Sequence, residues 1–238
     1  MTKVNKCKLF FAASLTAFGF CAVSNSANAF TLVDRSDFTD TDFRDAINND
    51  EFSELFVAEG RIGNNQFNGD RELGINTAKG VPVAQGQFTW GNSSVYNFVL
   101  EYTGSKVNYF LDGNLLSSED FSGSVTDIFF RTRAATDSQI SLSDLTFNST
   151  QIGKLSSQGT NGSDVDYLQI SNISSSFTIT GLASLSWNVN KPNNSQLAYQ
   201  IKVGTSPIKS VPEPATISAV LLAGLAGLGL GKKSQKKK

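Results

Sequence analysis

Six aspartates crowd the stretch 34–50: Asp34, Asp37, Asp40, Asp42, Asp45 and Asp50. Acid density of this kind suits calcium, which takes several oxygens from one loop. An EF-hand loop also needs glycine at its sharp turn and a closing glutamate in register, and this stretch has neither. The expected role is therefore a solvated helix start, where aspartates complement the helix dipole. Asp164 and Asp166, close to Asn161 and Gly162, form a second acidic group with the same expectation. Glu101, Asp112, Glu119 and Asp120 lie in or beside strand-like runs. Two carboxylates at the right separation would make a glycosidase pair, but acids on outward strand faces are expected for solubility alone. Arg131 and Arg133 share one strand face and suit bidentate capture of a carboxylate, most simply in a cross-strand ion pair. Trp90 and Trp187 each fall in an alternating strand and read as core rather than as a sugar-stacking platform.

Missing residue types narrow the chemistry further. The chain has no histidine, and its two cysteines are Cys7 and Cys21. Downstream of these, cysteine nucleophiles, Ser-His-Asp triads and Cys/His zinc sites are excluded. No catalytic set and no cofactor are expected, calcium being the single cation the acidic stretches bring into view. Residues 30–211 carry 12 Lys and Arg against 20 Asp and Glu, a net of −8. A nucleic-acid partner, which needs a basic face, is not expected.

Positioning falls to strands. In "VYNFVLEY", Tyr96, Phe98, Leu100 and Tyr102 alternate with polar residues, and Val107, Tyr109 and Leu111 do so in "KVNYFLDG". The Gly-containing turn between them predicts a hairpin, and Asp112-Gly113-Asn114 predicts the next turn. "SVTDIFFRTRA" and "QISLSDLTFN" read as another pair joined through "ATDSQ". Phe177 and Ile179, then Leu185, Trp187 and Val189, then Leu197, Tyr199, Ile201 and Val203 continue the alternation. One helix is expected within 39–52, capped by Thr39 or Asp40 with Phe43, Ala46 and Ile47 on its apolar face. Residues 150–164 read as a loop and 204–214 as a linker. The fold class is thus mainly β, an antiparallel sandwich with one short N-terminal helix.

Both ends of the chain carry processing patterns. Lys3, Lys6 and Lys8 precede an apolar run from Leu9 to Val23, and Ala27-Asn28-Ala29 supplies an A-x-A site. This is a secretory signal peptide, with cleavage by signal peptidase expected after Ala29. At the other end, Pro212 and Pro214 hold the backbone extended around Glu213. The 17 residues from Ala215 to Gly231 are uncharged, giving a helix ~26 Å long, slightly under a ~30 Å hydrocarbon core. Lys232, Lys233, Lys236, Lys237 and Lys238 follow, and a positive cluster of this kind stays cytoplasmic and stops transfer. The expected organisation is signal peptide 1–29, β-sandwich 30–206, linker 207–214, transmembrane helix 215–231 and basic cytoplasmic end 232–238.

The tail resembles the PEP-CTERM sorting signal of bacterial exported proteins, through Val-Pro-Glu-Pro at 211–214, the Gly/Ala/Leu-rich helix and the basic end. It departs from that pattern in having lysines interrupted by Ser234-Gln235 where an arginine run is commoner. The resemblance implies recognition of Pro212, Glu213 and Pro214 by an exosortase, a membrane cysteine protease that cuts nearby and passes the body to the surface or exterior. It also implies transient anchoring in the inner membrane. Over roughly residues 85–150, "KVNYFLDGNLL" is similar to the strand-turn-strand of concanavalin-like jelly rolls. "DIFFRTRAATDSQISLSDLTFN" is similar to the paired strands of choice-of-anchor domains. These resemblances imply a lectin-like sandwich in a non-enzymatic structural or adhesive surface protein, with exopolysaccharide as a candidate partner. The alternative is a carbohydrate-binding module, calcium-assisted or not; a glycan-processing enzyme ranks third.

Overall fold

The computed structural model describes residues 30–63, 72–174 and 176–207. Ala27 and Ala29 of the cleavage site, Pro212, Glu213 and Pro214 of the sorting motif, the apolar run 215–231 and the five terminal lysines lie outside the described residues. Among the described residues, no helix is long and apolar enough to cross a membrane.

In chain order the elements are β1 (Thr31–Arg35), α1 (Asp40–Asn48), β2 (Ser53–Arg61), β3 (Leu73–Thr77), β4 (Pro82–Gly86), β5 (Val95–Tyr102), β6 (Val107–Leu111), β7 (Asn114–Ser118), β8 (Asp127–Ala134), β9 (Ser138–Phe147), β10 (Thr150–Gly159), β11 (Asp164–Ser171), β12 (Phe177–Trp187) and β13 (Ala198–Thr205). They form two antiparallel sheets, ordered β1-β11-β8-β13-β2-β3-β4 and β10-β9-β12-β5-β6-β7. Strict alternation builds the layer between them. Phe177, Ile179, Ala183 and Leu185 point inward from β12, while Thr178, Thr180, Ser184 and Ser186 face out. Phe56, Phe98, Tyr102, Tyr109, Phe130 and Tyr199 fill the centre, and each large apolar side chain removed from water contributes roughly 1.5–3 kcal/mol.

The predicted hairpin of β5 and β6 forms, with Leu100 opposite Tyr109, and Asp112-Gly113 turns the chain into β7. The second predicted pair does not form: β8 belongs to the seven-stranded sheet and β9 to the six-stranded one. The short connection, with Asp137 at φ 60, carries the chain across the sandwich instead of folding it back within one sheet. Residues 150–159, expected to be loop, are strand β10. Register shifts on either side of Gly153, at φ 109, break the period-2 pattern there, and Ser157 takes an inward place usually given to an apolar residue. Val189 lies beyond β12 and is 81% exposed.

Thr39 caps α1 in a reciprocal capping box. Its hydroxyl accepts from the Asp42 amide at 3.3 Å, and its own amide donates to Asp42 Oδ2 at 2.8 Å. Phe43 and Ala46 meet the outer face of the seven-stranded sheet, but Ile47 stays exposed because only a narrow stripe of this short helix touches the sheet.

Register also fixes the poles of the body. Thr31 pairs with Ser171, Ser171 with Asp127, and Asp127 with Gly204. The first strand therefore begins, and the last ends, in one row at one end of the sandwich, three strand spacings or roughly 14 Å apart.

Candidate functional site

The outer face of the seven-stranded sheet holds a polar groove. Alternation turns Val57, Glu59 and Arg61 outward from β2, Gln200 and Lys202 from β13, and Arg131 from β8. Pairing sets Gln200 between Glu59 and Arg131, and Lys202 between Val57 and Phe129. Helix α1 roofs one side of this face through Phe43, Phe52, Phe129 and Tyr167, whose rings pack with centroids 5.0–5.8 Å apart. Beside that roof lies a cavity of about 260 Å³ lined by Glu54, Glu59, Arg61, Asn76, Gln200 and Lys202, among others.

The groove's charges are paired. Lys202 Nζ donates to Glu54 Oε2 at 3.2 Å and sits 4.8 Å from the centre of the Phe43 ring. Burial pushes the Glu54 carboxyl above its usual range, and Lys202 opposes that push. Gln200 Nε2 donates to Glu59 Oε2 at 3.2 Å, and Arg61 Nε lies 3.7 Å from Glu59 Oε1. Arg61 also donates to Ser195 Oγ at 2.6 Å, while its carbonyl accepts from the indole of Trp90 at 2.9 Å. Trp90 is buried, as its aromatic size suggested, although it stands in a loop rather than a strand.

Arg131 does grip a carboxylate bidentately, but not across strands. Its Nε and Nη2 donate to Asp40 Oδ1 and Oδ2 at 2.7 and 2.6 Å, and the Tyr167 hydroxyl donates to Oδ1 at 2.7 Å. The Arg131 guanidinium chiefly holds the Asp40 carboxyl down to about 2, with the Tyr167 hydroxyl assisting against partial burial. This fork pins the start of α1 to the sheet.

The other acidic candidates disperse. Asp34 accepts from the Ser36 amide and Asp42 closes the cap, while Asp37, Asp45 and Asp50 face solvent. Asp164 accepts from the Gln158 amide and Asp166 from Ser157 Oγ, each at 2.7 Å. Among the described residues, no group of three acidic side chains converges as a metal would require. Glu101, paired with Asn108, and Glu119, paired with Lys106, sit towards one end of the β5–β6–β7 hairpins, while Asp112 occupies the turn at the other. Asp120 bonds Ser118. None of the four lines the groove. Trp187 is half-buried, with Asn92 bonding its main chain and Lys191 Nζ 5.9 Å from its ring.

No protein-family model matches the chain, and no curated protein matches it. The groove was not anticipated from sequence. Its local trace is the opposite charges of Glu59 and Arg61 two residues apart, on the face of a strand opposite to Ala58 and Gly60. Their companions Gln200 and Lys202 come from more than a hundred residues away.

Proposed function

We propose that this is an exported bacterial surface protein of structural or adhesive role, without enzymatic activity. Signal peptidase removes residues 1–29, the helix 215–231 holds the chain in the inner membrane against its terminal lysines, and an exosortase reads Pro212, Glu213 and Pro214. The body then passes to the cell surface or its polysaccharide matrix.

The observation that carries this reading is the placement of the folded body between the two signals. β1 begins at Thr31, two residues after the cleavage site, and β13 ends at Thr205, seven before Pro212. Both strand ends lie in the row Thr31–Ser171–Asp127–Gly204, so a tether would hold the body by one pole and leave the opposite pole free. We read the sandwich as the jelly-roll, lectin-like kind, supported by the antiparallel pairing of neighbouring strands and the β8–β9 crossing between sheets. Such a frame serves many activities, so function rests on sites rather than on fold.

Intact-mass spectrometry of surface-extracted protein tests the reading. The expected species begins at Phe30 and lacks Lys238. Retention of Lys238 in cells with a working exosortase would overturn it.

A further inference from the structure

The groove beside α1 buries charge where a sheet surface normally leaves it wet. The side chains of Glu54 and Glu59 are 5% and 6% exposed, and those of Lys202 and Arg61 are 13% and 12%. Taking a charge from water is costly unless a partner compensates it. Here Glu54 answers Lys202 and Glu59 answers Arg61, so the four formal charges cancel. Among the described lining residues, a charged ligand would meet as many like charges as opposite ones and gain little from either. A hydroxyl is different, because it both donates and accepts. Carboxylate acceptors, ammonium and guanidinium donors, and the two-way amides of Gln200 and Asn76 line one wall-to-wall space. Val57 adds apolar surface between them, suited to the C–H face of a ring. The volume, about 260 Å³, lies just under the usual range of ligand pockets and suits a single ring rather than a long chain.

We propose that this groove binds a neutral polyhydroxylated ring, a sugar unit of an uncharged polysaccharide, whose hydroxyls donate to the Glu54 and Glu59 carboxylates and accept from Gln200 Nε2 and Lys202 Nζ. The assignment deepens the adhesive side of the proposed function and is independent of its sorting side, since binding is read on purified protein whatever its tail.

The test uses the full chain in a detergent without a sugar headgroup. Glucose, galactose, mannose and N-acetylglucosamine are titrated as probes by saturation-transfer NMR, with glucuronate and glucosamine as charged comparators. At least one neutral sugar should bind, about tenfold more tightly than either charged comparator. Gln200→Ala, at a half-buried position, should weaken it by about tenfold through loss of one hydrogen-bonding group. Ala78→Trp, at the exposed rim, should block entry without touching a buried group, and Ser184→Ala on the opposite sheet should change nothing. The proposal is overturned if no neutral probe binds, if a charged comparator binds as well as the neutral sugars, or if Gln200→Ala and Ala78→Trp both bind like the parent. Failure of sorting would appear separately, as Lys238 retained on protein that still binds sugar.

Discussion

The hydroxyl of Tyr109 on β6 meets the hydroxyl of Tyr199 on β13, bonding the two sheets inside the core. Each ring satisfies the other's one polar atom, which explains how two tyrosines tolerate complete burial. Tyr109→Phe or Tyr199→Phe alone should cost about 1–3 kcal/mol, because the remaining hydroxyl loses its partner. The double substitution should cost less than the sum of the singles, measured by denaturant unfolding. Gly60→Ala should be comparably damaging, since a Cβ there would stand 2.5 Å from the Tyr199 ring.

The same pair sets an alkaline limit. Burial chiefly raises both hydroxyls above their usual value near 10, and for Tyr109 the adjacent Tyr199 adds to the effect. A raised folded value means the stabilisation is complete below pH ~10, where the unfolded tyrosines begin to ionise, and is lost as pH climbs above it. Unfolding free energy should therefore fall between pH 10 and 12 in the parent (about two units above the free value) and fall less in the double phenylalanine variant. An equal fall in both would refute the assignment.

Asp40 makes the opposite prediction at acid pH. Its carboxyl is held near 2 against an ordinary 3.8, so its contribution is present above the ordinary value and lost as pH drops from 3.8 towards 2. The carboxylate is half-exposed, which limits the contribution to about 1 kcal/mol after solvent screening. Asp40→Asn should remove that acid-sensitive portion. Asp40→Ala should cost more, about 3 kcal/mol, because it also removes the acceptor oxygen that an asparagine keeps for Arg131 and Tyr167. Thermal unfolding at pH 7 and pH 3 separates the two.

Asp127 ties down the exit of the last strand. It accepts from Gln169 Nε2 and Ser171 Oγ at 2.7 and 2.6 Å, and from Thr126 Oγ1 at 2.7 Å, while Thr126 Oγ1 accepts from the Ser206 amide at 2.8 Å. Asp127→Ala should cost about 2–4 kcal/mol and speed hydrogen exchange at Thr205 and Ser206 well beyond the rest of β13. Uniformly faster exchange along the whole strand would argue against a local clamp.

For sorting, replacing Pro212, Glu213 and Pro214 together by alanine should leave protein that retains Lys238 in the membrane fraction. Normal release of the triple variant would remove the motif from the mechanism.

Local pattern carried much of this protein. The absence of histidine and of cysteine beyond Cys21 excluded whole reaction classes before any fold was known. Period-2 alternation located β5 and β6, the Asp112-Gly113 turn joined β6 to β7, and the capping types Thr39 and Asp40 marked the start of α1. Such signals are legible because they depend on neighbours within a few residues. Alternation says which side of a strand is buried but not which strand lies beside it. Only the tertiary structure could send β8 and β9 to different sheets, reveal β10 behind its bulges, and join Arg131 to an aspartate 91 residues away. The groove is of the same kind: Glu59 and Gln200 become partners because two strands distant in sequence lie side by side.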